Sequence, residues 1–286
     1  MQLPVAPTPF DPKAWGERVD IGTIAKTRIP VQGPSTWRPL PHETFVTMIE
    51  QAFDRHGFMI SDPVHYRAGS RKNEKIKDQS EHGRFLSMYG IAHPGLPEMG
   101  GLTWEAGFIN SYDMSLAARG GLGRRLAICS NGLFMGSTAE FKRKHTVGID
   151  REREGLFQSV FDLVDNMVDG LVPQATNEIT RIEQWKNTEC GDSDARWVIL
   201  EAAKRGVIGA AATMRVLKHW EDPEHPEFKD RNVWSLENAF TSNDRGQSLL
   251  TQSDRFGRLD GVFDDRFEFA QCADSEDSED FVAADF

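Results

Sequence analysis

Apolar residues at helical spacing, Phe45, Met48, Ile49, Ala52 and Phe53, fill one face of a segment running from about residue 41 to 56. Pro41 suits the first turn, where its missing amide costs nothing, and Gly57 stops the run, so the pattern predicts a helix. The period then shortens to two. Residues 58–66, 84–91, 102–109 and 125–130 read as strands separated by Gly and Pro, predicting a mostly antiparallel sheet packed on that helix. Asn131-Gly132, set between two apolar runs, predicts a tight hairpin turn. From about residue 150 the helical period returns: Leu156, Phe157, Val160, Phe161, Val164, Met167, Val168 and Leu171 form one stripe, which Pro173 is expected to end. Three more helices are predicted. The first is capped by Ser193, carries Val198, Ile199, Ala202 and Ala203, and is stopped by Gly206; the others cover 210–220 and 234–240.

The fold class is therefore α+β, in four regions. Residues 1–39 hold seven prolines and predict an extended arm; 40–149 form an α+β region with basic segments; 150–259 are helical; 260–286 are an acidic tail expected to be disordered. With 39% hydrophobic residues in a chain of 286, the body can bury a core. No apolar run is long enough to span a membrane, the N-terminus lacks a signal-like pattern, and Cys129, Cys190 and Cys272 lack disulfide-like spacing. The expectation is a soluble, cytoplasmic protein with free thiols and no membrane partner.

Charge changes this picture through its distribution. Ten acids against one base lie in 260–286, contributing −9 of the net −11 and leaving −2 on the rest. Two basic clusters emerge once the tail is set aside. Residues 110–146 carry Arg119, Arg124, Arg125, Lys142, Arg143 and Lys144 against Asp113 and Glu140, with His145 adjoining. Gly120, Gly121 and Gly123 among them suggest a loop whose amides approach phosphate, or else an ordinary solvated loop. Residues 67–78 add Arg71, Lys72 and Lys75, flanked by Arg67 and Lys77, against Glu74 and Asp78. Tyr66, Tyr89, Tyr112 and Phe134 lie near both clusters in sequence, as base-stacking platforms or, more ordinarily, as core.

Other chemistry finds little support. The glycine run matches neither a P-loop nor a dinucleotide fingerprint, and the histidines, including His219 and His225, lack metal-ligand spacing. No metal, cofactor or catalytic residue is assigned. Cys129 with His145 makes a nucleophile–base pair only if the hairpin brings them together. Trp185, Trp197, Trp220 and Trp234 are expected in the core.

The segments INSYDMSLAARGGLGRRLAICSNGLF, KRKHT and WSLENAFTSN, in that order, resemble a phage/plasmid-like family of unassigned function, over about residues 45–243. The resemblance implies a mobile-element origin and a neighbourhood of DNA metabolism, hence a bacterial host cytoplasm. The final DSEDSEDFVAADF, with Asp277, Glu279, Asp280, Phe281, Asp285 and Phe286, resembles the tails by which single-strand-binding proteins recruit replication and repair partners. A mobile acidic segment of this kind can also occupy a basic groove on its own body. Together these lead to the expectation of a non-catalytic accessory protein that binds single-stranded DNA in replication or recombination. The alternative is a host-directed protein-interaction factor whose tail mimics nucleic acid; a homo-oligomer is compatible with either.

Overall fold

The computed structural model describes residues 16–98, 102–126, 132–133, 140–145, 153–243 and 249–269. Strands β1 (Glu17–Val19), β2 (Met59–Ile60), β3 (Val64–Ala68), β4 (Arg84–Ala92), β5 (Leu102–Ser111), β6 (Ala118–Leu126), β7 (Gly132–Leu133) and β8 (Glu140–Arg143) form one sheet. Its spine runs β1-β3-β4-β5-β6, all antiparallel; β2 extends the β3 edge of β4, and β7 and β8 share the outer edge of β6. The helices are α1 (Ile21–Ala25), α2 (His42–Arg55), α3 (Arg153–Asp169), α4 (Leu171–Asn187), α5 (Asp192–Lys204), α6 (Ala210–Glu221), α7 (Val233–Asn243) and α8 (Leu249–Arg266). The fold is α+β. No helix among the described residues is long and apolar enough to cross a membrane.

Helix α2 follows its sequence pattern closely. Phe45, Ile49, Ala52 and Phe53 are completely buried, and the rings of Phe45 and Phe53 meet Phe108 edge-on at 6.2 and 6.0 Å. Burial of each such ring stabilises by about 2–3 kcal/mol. Gly57 takes a left-handed φ of 73°, which turns the chain from α2 into β2.

The glycine run is a strand rather than a loop. Gly120, Gly121 and Gly123 pair with Phe108, Gly107 and Glu105 inside β6. At Gly120 a Cβ would stand 2.5 Å from the Phe108 ring and 2.7 Å from the Phe141 ring, so this residue is glycine because two aromatic side chains lie across its backbone. A Gly120→Val variant is expected to lose about 2 kcal/mol, read as a lower denaturation midpoint. The hairpin prediction shifts as well. Gly132 is itself paired with Arg125, so the connection from β6 to β7 is longer than a two-residue Asn131-Gly132 turn.

One apolar cluster continues from α2 and the sheet into the helical half through α3, whose Val160, Val164 and Val168 are fully buried. At its edge Arg55 of α2 lies 2.9 Å from Asp165 and over the Phe161 ring at 4.7 Å. The break after α3 falls at Gly170, and Pro173 sits within the first turn of α4, where proline is tolerated. Ser193 does not cap α5. That helix starts at Asp192, and the Asp194 carboxylate accepts the Gly191 amide at 3.0 Å. Helix α7 is surrounded, with Val233, Trp234, Leu236, Ala239 and Phe240 all buried. Of the four tryptophans expected in the core, Trp185, Trp220 and Trp234 are buried, whereas Trp197 is 37% exposed beneath the Arg266 guanidinium.

Helix α8 occupies what reads in sequence as the start of the acidic tail. Its Leu259, Val262 and Phe263 are buried, Arg181 holds Asp260 at 2.6 Å, and Arg205 holds Asp265 at 2.6 Å. The acids at 260, 264 and 265 thus belong to a helix. Beyond residue 269 the chain carries six acids and no base, which leaves −5 of the net −11 on residues 1–269.

Candidate nucleic-acid interface

Alternation along the strands gives the sheet two faces. Phe85, Tyr89, Ala106, Phe108, Ala118 and Phe141 point towards α2 and the main core. On the opposite face the register aligns Tyr66, Leu86, Ile109, Arg119 and Lys142 in one row across β3, β4, β5, β6 and β8. The apolar end of that row joins Val64 and Met88 in a small second cluster. Its other end sets Arg119, half-buried, directly opposite Lys142, exposed. Like charges facing each other across a strand pair repel, a cost that an anion bound between them removes.

The neighbouring row on this face contains Ala68, Arg84 and Ser111. Arg84 is half-buried. Burial lowers its guanidinium below the ordinary arginine range, with the Asp113 charge acting against that shift and the Arg71 charge adding to it. Arg71 is brought here by Asp113, whose Oδ2 accepts the Arg71 backbone amide at 2.7 Å and whose Oδ1 accepts the Ser115 amide at 2.8 Å. Asn73 donates to the Asp113 carbonyl at 2.9 Å, and Ser70 Oγ accepts the Gly83 amide at 2.8 Å. Farther along, Asp78 accepts the amides of Val31 and Gln32 at 2.9 and 2.8 Å, which holds its carboxyl below the usual range. The basic loop is thus fixed at both ends and presents Arg71, Lys72 and Lys75 to solvent.

The two clusters meet at one end of the sheet, although not every expected residue belongs there. Lys144 is exposed just past β8. Arg143 shares the core-side face of Phe141, because strand residues alternate, and is half-buried. Arg124 and Arg125 lie in β6, paired with Trp104 and Thr103. His145 is not a phosphate contact. It is 4% exposed, and burial together with the Arg143 charge pushes it down to about 4, so it is neutral. Tyr66, Tyr89 and Tyr112 are buried and stack no base. Phe134, Cys129 and the tail residues Asp277, Glu279, Asp280, Phe281, Asp285 and Phe286 lie outside the described residues. Arg84 was missed in sequence; its signal is an arginine opening a strand directly after a basic loop.

Behind the interface, on the core side, lies a group of neutral histidines. Asn110 donates its amide to the Leu40 carbonyl at 2.8 Å, accepts the Ser111 amide at 2.8 Å, and meets His42 Nδ1 at 3.0 Å. With the amide oxygen engaged, the Asn110 nitrogen faces the ring, so His42 Nδ1 accepts and its proton sits on Nε2. The ring stacks on Tyr112 at 3.8 Å and on Phe85 at 5.1 Å. His65 Nδ1 and Ser87 Oγ are 2.9 Å apart on the adjoining strands. Burial pushes His42 down to about 3 and His65 to about 4, and the nearby His145 adds to the shift of His42. These rings play a structural part, with a pH signature. Their unfolded forms bind protons near pH 6.5 and the folded ones do not, so stability is full above pH 6.5 and falls towards pH 4 by about 1.4 kcal/mol per pH unit per histidine. Urea midpoints at pH 7 and pH 5 measure this, and His145→Gln is expected to reduce the difference between them.

Among the described residues no group of three or more His, Cys, Asp or Glu could hold a metal ion. Cys190 is buried and its thiol is pushed up to about 12, chiefly by burial and then by the Asp194 charge, which makes it a poor nucleophile. No family model matches the chain, and neither does any curated protein or solved structure.

Proposed function

We propose that the chain is a non-catalytic accessory protein that holds single-stranded DNA during replication or recombination of a mobile element. The observation that carries this reading is the direct opposition of Arg119 and Lys142 on the sheet face away from α2, with Arg71 and Arg84 at the same end. Four cations on one face suit polyanion chemistry, since phosphate contacts supply affinity without reading sequence.

These cations sit on strands and a pinned loop rather than on a helix that could enter a major groove, which favours a flexible single strand over sequence reading on a duplex. With the three tyrosines in the core, binding depends on the backbone rather than on stacked bases. The tail past residue 269 competes for the same cations and recruits replication or repair proteins. A labelled single strand should be displaced by unlabelled single strands of any composition within about threefold of one another, and poorly by duplex. Equal displacement by duplex would remove the single-strand preference; failure to bind any strand would remove the reading.

A further inference from the structure

We propose that the apolar groove between α5 and α6 is the seat of the chain's own C-terminal segment, with Phe281 and Phe286 covering it. The inference goes beyond the nucleic-acid reading and does not rest on it. Among the described residues, three of the five large apolar side chains left exposed lie on these two helices: Trp197 at 37%, Leu200 at 57% and Met214 at 67%. Single exposed apolar residues are ordinary, whereas a contiguous strip of them marks a contact surface. Two contacts make this strip contiguous. Arg196 lies 3.6 Å from Glu221, and Trp220 Nε1 donates to Asp192 at 3.1 Å, so the start of α5 stands beside the end of α6 and the two helices run antiparallel. Leu200 is one turn on from Arg196, while Leu217 and Met214 are one and two turns back from Glu221, each on the side that carries the ion pair. Leu217 is half-buried against the main core and lies at the base of the strip; Trp197 adjoins Leu200 on the side of α8.

Three observations select the occupant. Helix α8 brings the chain to the edge of the groove: Arg266, its last residue, donates to Asp194 at 3.0 Å and lies over the Trp197 ring at 5.7 Å. Phe281 is 12 residues past Phe269, a reach of up to about 40 Å, ample for a strip two helices wide. Charge agrees. Residues 192–221 carry five bases against four acids, and two of those acids are engaged by bases from elsewhere, Asp192 by Arg231 and Asp194 by Arg266. Residues 270–286 carry six acids and no base. Their composition completes the match, since Phe281, Val282 and Phe286 suit the apolar strip while the acids suit Lys204 and Lys218, exposed one turn on from Leu200 and Met214. Docked there, the phenylalanines are withheld from any protein partner, which has to compete with α5 and α6 for them.

Fluorescence anisotropy of a labelled peptide of residues 270–286 tests the seat, with the full chain carrying Phe281→Ser and Phe286→Ser so that its own segment is disabled. Saturable binding to this chain is expected, and binding to the parent at least about tenfold weaker, because the parent's tethered segment competes at an effective concentration of about 1 mM. Adding Leu200→Ser with Met214→Ser to the disabled chain should weaken binding about tenfold. Both side chains are exposed, so these changes leave folding intact. A peptide with both phenylalanines replaced by serine should bind neither chain, and Arg119→Glu with Lys142→Glu, on the sheet face, should leave the phenylalanine-dependent binding unchanged. No binding to the disabled chain, or binding unaltered by the Leu200 and Met214 changes, overturns the seat. Equal affinity for the parent and the disabled chain also overturns it, since the parent's own segment would then lie elsewhere.

Discussion

Reversing both charges of the facing pair, Arg119→Glu with Lys142→Glu, is expected to weaken single-strand binding by about a thousandfold at low salt, or about 4 kcal/mol. Each substitution replaces an attraction to phosphate with a repulsion, and the two side chains share one strand spacing on one face. The cost to the fold should be small beside the loss of binding, because Lys142 is exposed and Arg119 only half-buried. A melting curve within a few degrees of the parent, beside lost binding in fluorescence anisotropy, is the expected outcome. Full retention of affinity would place the DNA elsewhere on the molecule. Arg143→Glu provides a contrast: it lies on the core-side face, so its effect should fall on stability more than on binding.

Ending the chain after Gly261 is expected to unfold the helical half, while ending it after Phe269 leaves stability unchanged. The shorter chain loses Val262 and Phe263, both completely buried, and Phe267, 9% exposed. Burial of these three is worth about 7 kcal/mol, comparable with the whole stability of a typical domain, about 5–15 kcal/mol. It also uncovers Trp185, whose ring is 5.5 Å from Phe263, and Phe240 at 6.2 Å. The ion pairs Arg205–Asp265 and Arg266–Asp194 disappear with it. Circular dichroism and thermal melts of the two truncations check this. A cooperative melt at the parental temperature for the chain ending at Gly261 would show that α8 is dispensable.

The elements legible in sequence are those whose periodicity was undisturbed. Helix α2 shows a clear apolar stripe, and β4 and β5 run as unbroken strands flanked by turn residues. Strand β6 was hidden by its glycines, which read as a loop although they are required by rings from neighbouring strands; the reason lies about 12 residues away at Phe108 and 21 away at Phe141. Helix α4 was hidden by Pro173, which is only a breaker when it falls past the first turn. Helix α8 was hidden by acidity. Its signal was nonetheless present in Leu259, Val262, Phe263 and Phe267, spaced for one helical face.

The interface was half legible for a related reason. Charge counting found Arg119, Lys142 and the loop bases, since charge is a local property of the sequence. Which of them share a face depends on strand register, and a step of one residue sends Arg143 to the other side from Lys142. Arg84 joins the group through strand register, and Asp113, which lies 29 residues farther along the chain, links it to the basic loop. The histidine at 145 stood in a run of bases and looked like one of them, but the packing around it excludes the charged form.

The most direct test of the central claim is the salt dependence of single-strand affinity for the full chain and for the chain ending at Phe269. With about four phosphates neutralised by Arg71, Arg84, Arg119 and Lys142, the logarithm of the binding constant should fall with the logarithm of salt at a slope of about −3. The truncated chain, freed of six acids, should bind more tightly at every salt concentration. Affinity independent of salt, or no binding by either chain, would contradict the assignment of this face to nucleic acid.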